Sequence, residues 1–109
     1  MAFQVDITET ALTDAEEYVR FIRRNGSDPN AADRWFRGLG EAINSLGELP
    51  ERCPMIPEQE DFSLELRHLI YYSHRIIFRV QQDANRVIVY RVYHGSRREI
   101  DVGDVPIGG

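Results

Sequence analysis

Lysine is absent from the chain: all 13 basic residues are arginine. Every cation is therefore a planar, permanently charged guanidinium, suited to bidentate contact with phosphate or carboxylate. A single cysteine, Cys53, excludes an internal disulfide and fits a reducing compartment, the cytoplasm. Cys53 follows Arg52, whose charge would favour the thiolate, but it has no histidine–aspartate context for a catalytic thiol. The three histidines, His68, His74 and His94, do not fall at metal-site spacing, so no metal is expected. No glycine-rich phosphate loop precedes a helical pattern, so no cofactor is expected either. No apolar run approaches the ~18–20 residues that span a bilayer. The opening MAFQVDITE lacks the basic and apolar regions of a signal peptide, so no membrane contact is expected.

What remains is one acidic domain of 109 residues with net charge −5. That total conceals an asymmetry. Residues 1–66 hold six arginines against fourteen acids, whereas residues 67–98 hold seven arginines against Asp83 alone. All three histidines lie in the same basic stretch. The overall charge argues against a general nucleic-acid binder, and the local excess argues for one anionic partner met on one face.

The pattern predicts a strand over 3–7, with Phe3, Val5 and Ile7 alternating with Gln4 and Asp6. A helix follows from Thr8 or Thr10, with Leu12, Ala15, Val19 and Ile22 as its stripe, widened by Ala11 and Tyr18. Asn25-Gly26 ends it, glycine tolerating a left-handed cap. Asp28 and Pro29 suit the start of a second helix. Its stripe is Ala32, Trp35 or Phe36, Leu39, Ile43 and Leu46, and Gly38 and Gly40 are expected to let the two helices approach closely. Residues 50–61, with three prolines and four acids, read as a surface loop. A strand with Leu64, Leu66, His68 and Ile70 on one face follows. Arg75–Val80 and Arg86–His94 then pair across a polar loop at 81–85. The fold class is therefore α+β, in the order β-α-α-β-β-β, with a helical hairpin on one face of a small, mostly antiparallel sheet. The expected division is one domain over 1–98 and a loose tail over 99–109.

Centring the hairpin near Ala84 pairs Ile76 with Val92, Phe78 with Tyr90 and Val80 with Ile88, an apolar face for the helices. The other face then carries Arg75 beside Tyr93, Ile77 beside Arg91, and Arg79 beside Val89. That face reads as an open arginine-rich contact surface, narrowing to Arg75, Tyr93, His94 and Arg97 at one end.

The strand HRIIFRV, the return VIVYRVYHGSRR and the preceding LPERCPMIPEQED resemble the RelE/ParE superfamily of toxins from type II toxin–antitoxin modules. The element order agrees over nearly the whole chain. The resemblance implies a growth-inhibiting toxin, associated with plasmid stabilization and neutralised by a cognate antitoxin. It would act as a homodimer or as a hetero-oligomer with that antitoxin. The RelE branch cleaves mRNA on the ribosome. In that case Arg75 and Arg97 would stabilise phosphate charge, and His94 or Tyr93 would transfer protons. Leu66 and His68, however, stand near the branch's lysines, and Asp101 to Asp104 stand where it has a late tyrosine. The HG-x-R ending and the acidic proline-rich loop are similar to the ParE branch, which implies poisoning of DNA gyrase and no enzymatic activity. On either branch Arg67, Arg75, Arg79, Arg91, Arg97 and Arg98 are the expected target- or antitoxin-binding residues. A non-toxic protein-binding module is the further alternative.

Overall fold

Thr8 sets where the first helix begins. Its backbone is extended and its hydroxyl accepts the Ala11 N–H, so the chain passes from strand β1 (Gln4–Ile7) directly into helix α1 (Glu9–Asn25). The computed structural model describes residues 2–96 and 99–105. Helix α2 (Ala31–Asn44) follows, then strands β2 (Arg67–Tyr71), β3 (His74–Gln81) and β4 (Arg86–His94). The sheet order is β1-β4-β3-β2, with β1 parallel to β4 and the other pairs antiparallel. Two helices on an open four-stranded sheet give the α+β order expected from the sequence.

Local chemistry differs from expectation at several points. Gly26 closes α1 in extended backbone (φ −96°) rather than a left-handed cap. Its requirement is steric, because a Cβ there would sit 2.8 Å from the Ile22 carbonyl oxygen. Asp28 and Pro29 lie in a turn just before α2, whose cap is Asn30; the Asp28 carboxylate accepts the Asn30 N–H. The two helical glycines do not serve a close helix–helix approach. Gly38 makes room for the Tyr71 hydroxyl of β2, which donates to the Trp35 carbonyl, and Gly40 has nothing near its missing side chain.

The hairpin contains a β-bulge. Arg75↔Tyr93, Ile76↔Val92 and Ile77↔Arg91 pair as the sequence parity suggests, but Phe78 then faces Val89 and Val80 faces Val87. One residue of β4 is extra, so side chains on its first half change face. Tyr90 and Ile88, expected under the helices, lie on the opposite side, and Val87 and Val89 take their places. The helix-side core joins Ala11, Ala15, Leu39, Ile43 and Leu46 to Ile76, Phe78, Val87, Val89 and Val92.

The opposite face is covered, which corrects the expected open arginine surface. Ile56 and Phe62 from the proline-rich loop, Leu66, and Ile100 and Val105 from the C-terminal segment bury Ile77, Tyr90 and Tyr93. Each such side chain contributes roughly 1.5–3 kcal/mol when fully buried, so this is a second core rather than a surface patch. The 50–61 segment is accordingly no simple surface loop: Pro50, Cys53, Ile56 and Glu58 are buried. Nor is 99–105 loose, since Ile100 is buried and Asp101 and Asp104 form a reciprocal capping box. No helix among the described residues is long and apolar enough to cross a membrane.

Candidate functional site

The first residue of β3 and the last of β4 are paired histidines, His74↔His94. Alternation puts both rings on the helix side, where α1 supplies Tyr18 and α2 supplies Trp35. The ring centroids are 4.3 Å apart for Tyr18–His74, 4.8 Å for His74–His94 and 4.8 Å for Tyr18–Trp35. The Ser96 backbone N–H donates to His94 Nδ1 at 3.0 Å, which places the neutral ring's proton on Nε2. The Ser96 hydroxyl lies 2.6 Å from the same nitrogen. Gly95 permits this tight exit: its N–H donates to the Ser73 carbonyl at 2.6 Å, and a Cβ would stand 3.0 Å from that oxygen. A cleft of about 450 Å³ opens here, lined by Asp14, Glu17, Tyr18, Phe21, His74 and His94, together with Val92 and Ser96.

Three of the four described arginines nominated from the sequence are committed to carboxylates. Arg75 forms a bidentate pair with Glu58, at 2.9 and 2.8 Å, and the Glu58 carboxylate also accepts the Ile100 N–H at 3.1 Å. Side-chain exposure is only 15% for Arg75 and 5% for Glu58. The Arg75 hydrogen bonds hold the Glu58 carboxyl down at about 2, against the opposing effect of burial. Arg91 grips Asp14 through Nε and Nη2 at 2.7 and 2.9 Å and donates to the Asp104 carbonyl at 2.6 Å. Asp14 also accepts the Val92 N–H, and the pairing raises the Arg91 pKa further. Both guanidinium groups flank the Tyr93 ring, at 5.9 Å for Arg75 and 5.4 Å for Arg91. Arg67 is partly buried, donating to the Cys53 carbonyl and pairing with Glu65. Arg79 is part-buried and has no ion pair among the described residues. Arg97 and Arg98 lie outside the described residues.

Tyr93 and His94 are therefore adjacent in sequence but serve opposite faces, Tyr93 within the second core and His94 in the cleft. Sequence reading did not single out Tyr18, His74, Asp14 or Glu58 as site residues. The 14/17/18/21 spacing does place four of the cleft residues on one side of α1. Glu58, two residues after the buried Ile56 in a segment with few apolar residues, gave no such signal. Burial raises the Cys53 thiol pKa despite Arg52 and Arg67 nearby, so Arg52 does not activate it. His68 is held below its usual range by burial, and its Nδ1 has no partner among the described residues. No group of three or more histidine, cysteine or acidic side chains among the described residues would hold a metal ion.

Several solved structures share this fold. A chromosomal ParDE toxin–antitoxin system from Pseudomonas aeruginosa aligns with TM-score 0.68 at 14% identity, over 85% of this chain and 96% of that one. The RelBE2 toxin–antitoxin complex from Mycobacterium tuberculosis aligns at 0.60 and 20% identity, over 91% and 95%. An arginine-to-alanine double variant of the Escherichia coli toxin RelE in the free state aligns at 0.56 and 20%, over 88% and 86%. At such identities these likenesses show the fold. No curated protein gives a significant match. The family model for the ParE toxin of the type II toxin–antitoxin system parDE matches residues 5–99. With nearly the whole chain matched, and with the strand–helix–helix–three-strand fold of the same superfamily, the protein belongs to the ParE toxin family of type II toxin–antitoxin systems.

Proposed function

We propose that the protein is a toxin that acts by capturing a protein target, DNA gyrase, in the manner of the ParE branch, and that a cognate antitoxin neutralises it. The Arg75–Glu58 pair carries this reading against RNA cleavage. Arg75 is the guanidinium that an mRNA nuclease of the RelE branch would turn toward phosphate. Here both arms of its fork are filled by a buried carboxylate. Releasing it would leave Glu58 charged and unpaired, at a cost of about 3–5 kcal/mol. The unpaired Glu17 carboxylate in the cleft beside His94 also opposes phosphate approach. Of the residues expected to bind target or antitoxin, Arg79, Arg97 and Arg98 remain the proposed contacts, whereas Arg67, Arg75 and Arg91 are held by carboxylates of this chain; Tyr93 and His94 belong only to the nuclease alternative. The proposed setting is the cytoplasm, as a homodimer or bound to antitoxin.

Purified protein added to gyrase and plasmid tests this reading. Loss of supercoiling with accumulation of cleaved DNA is expected, and no inhibition at excess toxin would overturn it. The ribosome-dependent endoribonuclease is favoured by one observation, the two imidazoles 4.8 Å apart beside Ser96. Codon-specific mRNA cuts in a parallel translation reaction would select it. Harmless expression without antitoxin, with both reactions negative, would select a non-toxic binding module.

A further inference from the structure

The cleft at the hairpin end joins an exposed carboxylate to aromatic and imidazole side chains. Asp14, Glu17, Tyr18 and Phe21 project from one side of α1, because they are spaced three or four residues apart. Tyr18 and Phe21 stack, with centroids 5.5 Å apart and planes at 24°. His74 and His94 close the far wall against Tyr18. The volume of about 450 Å³ lies within the roughly 300–1,000 Å³ of small-ligand clefts.

The charges decide what such a cleft accepts. Asp14 is neutralised by Arg91. Glu17 is exposed and has no ion pair among the described residues, so among the described lining residues it supplies the unpaired carboxylate. Aromatic faces attract cations through their ring quadrupoles, and a carboxylate at the rim reinforces that preference. A phosphate would meet Glu17 head-on. An apolar side chain would leave Glu17 desolvated without a partner.

We propose that this cleft is a receptor for a cationic side chain, an arginine guanidinium, presented by a partner protein. The guanidinium lies against the Tyr18–Phe21 pair and donates to the Glu17 carboxylate. The pocket stands whether the toxin acts on gyrase or on the ribosome, and it concerns a partner's cation rather than this chain's own arginines. It also gives the acidic, helical half of the molecule a recognition role separate from the arginine-bearing sheet.

The experiment follows the ring and imidazole signals of Tyr18, Phe21, His74 and His94 by NMR in the full chain. The probes are N-acetylarginine methylamide, its neutral citrulline counterpart and inorganic phosphate. Saturable shifts with the arginine probe and a markedly weaker response to citrulline are expected. Glu17→Gln should weaken the arginine probe about two- to five-fold. Phe21→Leu should do the same through the lost ring face. Both side chains are exposed, so both variants should fold, and Glu9→Gln in the first turn should bind like the unaltered protein. Four results would overturn the proposal. These are an absence of saturable shifts, an equal response to citrulline, tighter binding of phosphate, and undiminished binding by Glu17→Gln.

Discussion

Replacing Glu58 by glutamine tests whether the second core rests on an ion pair. Glutamine keeps the size of the side chain and an oxygen for the Ile100 N–H, but it removes the charge that Arg75 faces. The Glu58 carboxyl lies at about 2 instead of the ordinary 4.5. At about 1.4 kcal/mol per pH unit, that depression corresponds to about 3 kcal/mol of stability at neutral pH. Because the folded-state pKa is the lower one, this contribution is complete above about 4.5 and is lost as pH falls toward 2. Glu58→Gln should therefore lower unfolding free energy by about 3 kcal/mol at pH 7, or roughly 10–25 °C in Tm. Urea titrations from pH 7 down to pH 2 read both effects, and the variant should lose less stability on acidification than the unaltered protein. The companion variant Arg75→Met completes a double-mutant cycle, in which the pair should show strong coupling. A loss below about 1 kcal/mol, or parallel pH profiles for the two proteins, would refute the reasoning.

Gly38→Ala should destabilise by about 1–3 kcal/mol, because the new methyl meets the Tyr71 hydroxyl, and Tyr71→Phe in the same chain should recover part of the loss in thermal melts. Gly40→Ala, with open space around it, should instead raise stability by up to about 1 kcal/mol. Leu49 has φ 45° and a largely exposed side chain, so Leu49→Gly should stabilise by about 0.5–1 kcal/mol in the same melts. Asp14→Asn strips the carboxylate from a buried bidentate pair and should lower unfolding free energy by about 3 kcal/mol in urea. The Cys53 thiol is buried with a raised pKa, so it should react with a thiol reagent far more slowly than glutathione until urea unfolds the chain.

The elements were readable because their signals are local. Thr8 before a 3–4 apolar spacing marks α1, and alternation between Arg86 and His94 marks β4. Face assignment depends on counting by two, and a single extra residue defeats it. The parity argument therefore holds from Arg75 to Ile77 and fails for Tyr90 and Ile88. The arginine surface misled for a different reason. The sequence shows only the charge of Arg75 and Arg91, whereas their state is decided by Glu58 and Asp14, which are 17 and 77 residues away. Nothing in a one-dimensional pattern ties those positions together. The proline-rich segment shows the same limit, because Ile56 and Phe62 are too sparse to signal a core until Ile100 and Val105 join them.

Strand order also has a consequence for how the toxin comes into being. The strand β4 lies between β1 and β3 and is the last of the four to be synthesised. Among the described residues β1 has no other sheet neighbour: Gln4 aligns with Arg86, and the Gln4 N–H donates to the Asn85 carbonyl. Contacts of such long sequence separation form late, because loop closure must precede them. An unfinished chain that stops short of β4 has neither a sheet edge for β1 nor His94 to complete the cleft. A growing polypeptide that ends before β4 therefore holds neither the completed sheet nor the cleft, and both arise together in the last stretch of synthesis.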